Sequence, residues 1–239
     1  MTDSFTQLHG LRMSRQAFLR GLGAVGAAGM FTSGWYERAM AQETPRRGGV
    51  FALNLTGDLP NFDPISNTTG TVLTAIGPCY NGLVINDPQN PDKIIGDLAQ
   101  SWEMSPDGKA LTFRLVGGVK FHDGKPMTSA DVKTSFDYVR NPPAGLVSPR
   151  KGALAAVTEI QTPDERTVRF VLSRPSPSLL ANLAAGWMVV MPKHILDAKG
   201  SMKGDVIGTG PYVWKTYARG VSVELARNPD YHEIGRAHV

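Results

Sequence analysis

The turn signal Pro106-Asp107-Gly108-Lys109 separates two segments in which apolar and polar residues alternate. Upstream, Gln100, Trp102 and Met104 share one side and Ser101, Glu103 and Ser105 the other; downstream, Leu111, Phe113 and Leu115 alternate with Thr112 and Arg114. Successive strand side chains point to opposite faces, so this period of two predicts a hairpin with one buried face. Trp102 and Phe113 are expected in its core. Two more hairpins are predicted on the same grounds. One runs from Val157 to Leu172 around Pro163-Asp164-Glu165, with Val168, Phe170 and Leu172 inward. The other joins Tyr212–Tyr217 to Val221–Arg227, with Val221, Val223 and Leu225 inward.

Helices are expected between these hairpins. Thr128 and Asp131 form a capping pair that opens a helix through Val132, Phe136 and Val139, closing before Pro142. Pro177–Leu183 and Pro192–Ala198 each begin with the residue suited to a first helical position. Thr71–Leu83 reads as a helix leading into a strand, Leu83–Asn86, and the apolar run Val50–Leu55 has strand length. Leu59–Pro64 is a loop, because Pro60 and Pro64 remove backbone donors and restrict their predecessors. The fold class is mixed α/β, rich in antiparallel hairpins.

The amino terminus has the layout of an export signal. Arg12, Arg15 and Arg20 precede a small-residue stretch, and Ala39-Met40-Ala41 supplies the two small residues a signal peptidase reads, placing cleavage before Gln42. Ser14–Arg20 resembles a twin-arginine signal, with Gln16 standing where the second arginine belongs. Residues 1–41 are therefore expected to be an export signal and 42–233 the start of the mature domain. The last run, 234–239, resembles a translated sequencing adapter, so the chain is expected to be an amino-terminal fragment of a longer protein.

The formal charge of +4 belongs mainly to these ends. Residues 1–41 hold four arginines against two acids, and Arg236 adds another positive charge. The near-neutral remainder gives no electrostatic case for nucleic acid. Cys79, the one cysteine, has no internal disulfide partner and lies far from the cleavage point, so it predicts a buried apolar residue and no lipid anchor.

Catalysis needs a nucleophile, a base and a stabilising group together. No Gly-x-Ser-x-Gly elbow, phosphate loop or short His spacing of a zinc site is present, so no enzyme, cofactor or metal is expected. His122-Asp123 reads as the start of a tight turn at Gly124. Aromatic residues in Gly/Pro-rich segments can line an apolar pocket, which makes Phe62, Tyr80 and Trp187 candidates for ligand contact. Gly210, in the glycine-rich turn Gly208–Pro211, joins them.

Several short motifs, in order, resemble the peptide/nickel-type solute-binding proteins of ABC importers. They include Arg47-Gly48-Gly49-Val50, Leu59–Pro64, Tyr80-Asn81-Gly82-Leu83, Asp97–Glu103, Gly118–Pro126, Gly208–Tyr212 and Arg227–Tyr231. Asn81 departs from the family's usual glutamate. The resemblance implies a type II periplasmic-binding-protein fold of the large peptide-binding class, with only the amino-terminal lobe represented here, and it implies that the ligand cleft between lobes begins at Leu59–Phe62, which adds Leu59 and Asn61 to the candidates for ligand contact. It further implies a soluble periplasmic monomer, which captures a peptide or small solute and delivers it to an ABC permease. Nickel chelates, opines and oligosaccharides are further ligand classes, and a sensor or interaction module on the same fold is the alternative function.

Overall fold

A computed structural model describes residues 48–232; the expected signal 1–41, Gln42 and the run 234–239 lie outside the described residues. The chain divides after Ala52. Residues 48–52 form no helix or strand, and the second unit carries every described element. The expected strand Val50–Leu55 is not formed. No described strand pairs with it, and Val50, Phe51 and Leu53 are exposed. Strand-forming side chains alone do not make a strand when the backbone donors and acceptors have no ladder.

The central sheet has the order β3-β4-β6-β5 and is antiparallel throughout. Its strands are β3 (Ala99–Met104), β4 (Ala110–Leu115), β5 (Val157–Asp164) and β6 (Thr167–Leu172). Helix α2 (Ser129–Arg140) packs across β5 and β6. Its start matches the predicted capping pair: Thr128 N–H donates to Asp131 Oδ2 at 2.8 Å. The core follows from the alternating pattern. Phe113 of β4 meets Phe170 of β6 edge-on at 5.7 Å, and Phe170 meets Phe136 of α2 at 5.4 Å. All three are fully buried.

Trp102 differs from expectation. It packs against Phe113 at 6.4 Å but is only half-buried, while Gln100 and Met104 are exposed. β3 is an edge strand, and its register slips between Ala99 and Ser101, so its apolar face is covered on one side only. The second hairpin turns later than predicted, at Glu165-Arg166, because β5 continues through Asp164.

Around this sheet lie α1 (Gly70–Ile76), a 3-10 turn at Gly77–Cys79, and a small antiparallel pair, β1 (Val84–Asn86) and β2 (Ile94–Gly96). The predicted helix from Thr71 is thus shorter, since Pro78 lacks the N–H that would continue it. Short helices α3 (Leu179–Leu183) and α4 (Lys193–Lys199) follow their prolines as expected. The third hairpin forms from β7 (Tyr212–Ala218) and β8 (Ser222–Arg227). Val221 falls in its turn and is exposed, against the inward placement predicted for it.

Candidate ligand-binding site

The loop from Asp58 to Asn67 is held by one buried carboxylate. Asp63 Oδ1 accepts from the N–H groups of Ile65 (2.8 Å) and Ser66 (3.0 Å). Its Oδ2 accepts from Tyr138 O–H of α2 (2.7 Å) and Met202 N–H (3.2 Å). Burial, reinforced by the Asp63 charge, pushes the Tyr138 phenol well above its ordinary pKa and keeps it a donor. Asn61 Oδ1 accepts from Asp63 N–H and from Asn67 Nδ2, which closes the loop on itself. A loop built this way is preorganised, so a ligand need not order it.

Phe62 projects from this loop onto β7. Its ring lies 5.0 Å from Trp214 and 5.6 Å, edge-on, from Tyr217. All three rings are half-buried. Trp214 and Tyr217 are three apart and would face opposite ways on a regular strand. The register of β7 shifts between Trp214 and Thr216, and the extra residue returns both rings to one face. Tyr217 Oη accepts from Leu59 N–H (3.1 Å) and donates to Asp58 Oδ1 (3.2 Å). The Gly220 N–H donated to Asp58 at 2.7 Å is the main cause that holds this carboxyl below its ordinary pKa; Arg219 and Tyr217 add to it. The result is an aromatic surface with a carboxylate beside it.

The candidate residues divide between this surface and the core. Phe62 and the Leu59 and Asn61 backbone lie at the loop, although the Leu59 side chain is buried. Tyr80 does not join them, being only 5% exposed. Gly210 is buried too: its N–H donates to Cys79 O (3.0 Å), and its carbonyl accepts from His122 Nε2 and Asn228 Nδ2 (3.0 Å each). A Cβ at Gly210 would stand 2.5 Å from Pro78 O, so glycine is required by close backbone approach. Trp187 is half-buried, with Arg150 over its ring at 4.0 Å. Sequence reasoning missed Asp58, Arg150, Trp214 and Tyr217. No group of three or more His, Cys, Asp or Glu among the described residues is placed to hold a metal ion. No described helix is long and apolar enough to cross a membrane.

The profile of bacterial extracellular solute-binding proteins, family 5 middle, matches residues 93–239. A putative ABC transporter peptide-binding protein of Brucella ovis is 37% identical over 213 residues, covering 86% of this chain and 39% of the relative. Among solved structures, the PBP AgaA of A. tumefaciens R10 in complex with agropinic acid matches with a TM-score of 0.70 and 32% identity. That match covers 76% of this chain and 36% of AgaA. A dipeptide-binding protein from Pseudoalteromonas, in complex with Met-Leu, matches with a TM-score of 0.68 and 28% identity. It covers 75% of this chain and 39% of that one. The chain thus spans about two fifths of the length of the curated relatives it matches.

Proposed function

Because the chain belongs to family 5 of the bacterial extracellular solute-binding proteins, we propose that it is the amino-terminal part of an importer's binding component. In this reading residues 1–41 direct export and are removed, and residues 42–233 begin a periplasmic domain. That domain captures a peptide or similar small solute for an ABC permease and performs no catalysis. The observation that carries the reading is the match of 86% of the chain to relatives named as ABC transporter peptide-binding proteins.

The geometry supports a place for the solute. The Phe62, Trp214 and Tyr217 rings offer apolar area on a loop already fixed by Asp63, and aromatic surface contributes most when it is rigid. The Leu59 and Phe62 N–H groups are already donated to Tyr217 Oη and Lys203 O, so the carbonyls of Leu59 and Pro60 are the backbone groups left to orient an extended ligand. Calorimetric titration of the chain with the dipeptide Met-Leu is expected to show saturable binding, and Phe62→Ala is expected to weaken it at least about tenfold, or 1.4 kcal/mol. Binding by Phe62→Ala equal to that of the parent chain would remove this surface from the site. Absence of any binding by the full-length protein across peptides, nickel chelates, opines and oligosaccharides would overturn the solute-binding reading.

A further inference from the structure

Asn81-Gly82 is the one Asn-Gly pair in the sequence. An asparagine followed by glycine is the pair most open to deamidation, because no side chain hinders the glycine nitrogen from reaching the asparagine amide carbon. The fold favours glycine here. A Cβ at Gly82 would stand 3.0 Å from Met188 O and 3.3 Å from Val84 O, backbone atoms that cannot swing aside. Gly82 also forms a bridge with Val189. Val190 N–H donates to Asn81 O (2.9 Å) and Leu98 N–H to Gly82 O (3.0 Å), so the pair ties two other segments together. Lengthening its backbone would put both bonds out of register.

One carboxylate restrains both reacting groups. Asp97 Oδ1 accepts from Asn81 Nδ2 at 2.7 Å, and Asp97 Oδ2 accepts from Gly82 N–H at 2.9 Å. Asn81 Nδ2 also donates to Tyr231 Oη (3.3 Å), and Asn81 Oδ1 accepts from Thr209 Oγ1 (3.1 Å). Asn81, Gly82 and Asp97 are all buried. Ring closure needs Gly82 N to lose its hydrogen and attack Asn81 Cγ. A hydrogen bond to a buried carboxylate stabilises that N–H and opposes the anionic nitrogen that would replace it. Turning Cγ toward Gly82 N would also break the bonds of the Asn81 amide, where an unpaired polar group is unfavourable. Opening of the segment removes these restraints together. Gly82 N then bonds to Cγ, the Cγ–Nδ2 bond breaks, and ammonia leaves with the proton from Gly82 N. Water opens the cyclic imide at either carbonyl, giving aspartate or isoaspartate. Neither product refits. A carboxylate has no hydrogen for Asp97 or Tyr231 and brings a like charge beside Asp97, and isoaspartate lengthens the backbone as well.

We propose that Asn81 is a deamidation site restrained by Asp97, so that modification records opening of the chain around residues 80–98 and then prevents its proper closure. This chemistry needs no solute and stands apart from the solute-binding reading. The test incubates the whole chain at mildly alkaline pH, either folded or unfolded in guanidinium chloride. Peptide mapping then separates Asn81 from its aspartyl and isoaspartyl products. The folded chain is expected to be modified at least about 100-fold more slowly than the unfolded one, since the reaction tracks the open population. Asp97→Asn keeps the side-chain shape but removes one of the two acceptors. It should speed modification of the folded chain at least about tenfold, while amide exchange at Val168 and Phe170 of β6 stays slow. Asn81→Asp, the aspartyl product itself, should lower the urea midpoint. Equal rates in the folded and unfolded chain, or no modification of Asn81 in the unfolded chain, overturns the site. A parent-like rate in Asp97→Asn, with β6 still protected, overturns the restraint by Asp97. Should that variant fail to fold, the parent rates and the Asn81→Asp midpoint decide, and a midpoint equal to the parent's would show that the product closes normally.

Discussion

His122 holds a backbone loop by both ring nitrogens. Gly210 O can only accept, so Nε2 at 3.0 Å carries the hydrogen, and Nδ1 accepts from Gly208 N–H at 3.4 Å. Protonation would put a second hydrogen on Nδ1, facing that N–H. Burial is the largest influence and lowers the His122 pKa below 6.5, against opposing contributions from the Gly210 hydrogen bond and the Asp123 charge. The folded state thus binds this proton less readily than the unfolded chain. Its contribution to stability is fully present above the unfolded value and is lost as pH falls below 6.5 toward the lower folded value. Urea midpoints measured from about pH 7.5 to about pH 5 should therefore fall, and His122→Asn should flatten part of that slope. An unchanged slope in the variant would show that His122 does not titrate as described. The turn beside His122 was legible in Asp123-Gly124. The clamp was not, because its partners lie 86 and 88 residues away. Arg150 was hidden for the same reason, gripping carbonyls 83 and 85 residues distant.

Elements with local signals were legible. Pro106–Lys109 and the Thr128/Asp131 pair each specify backbone geometry within four residues, and both appear as expected. Features that depend on a neighbour were less so. The edge position of β3 leaves Trp102 half-buried, so Trp102→Ala is expected to cost about 2–3 kcal/mol, below the range for a fully buried tryptophan. Phe113→Ala, at a residue with no exposure, should cost about 3–5 kcal/mol. Chemical denaturation of both variants checks the order; a larger loss at Trp102 would contradict the edge position of β3. The aromatic surface was illegible because the shifted register of β7 obeys no sequence period. Read at period two, Trp214 and Tyr217 belong to different faces.

At the scale of the molecule, the chain covers about two fifths of its curated relatives, and the exposed Val50, Phe51 and Leu53 have no described strand beside them. In the proposed reading the solute lies between two lobes. A single wall leaves its polar contacts open to water and weakens them by screening. Residues 42–233 alone should bind any solute of the full-length protein at least about 100-fold more weakly, a difference of about 2.7 kcal/mol. Parallel calorimetric titrations decide this, and equal affinities would place the whole site within this chain.

Asp63 is fixed by four uncharged donors, with no lysine or arginine among them. Ionic strength weakens attraction between charges at a surface but has little purchase on a buried carboxylate held by amides and a phenol. In the proposed reading the domain works outside the inner membrane, where it meets whatever salt the surroundings impose. With this anchor, the loop that carries Phe62 is expected to keep one shape from dilute to briny media.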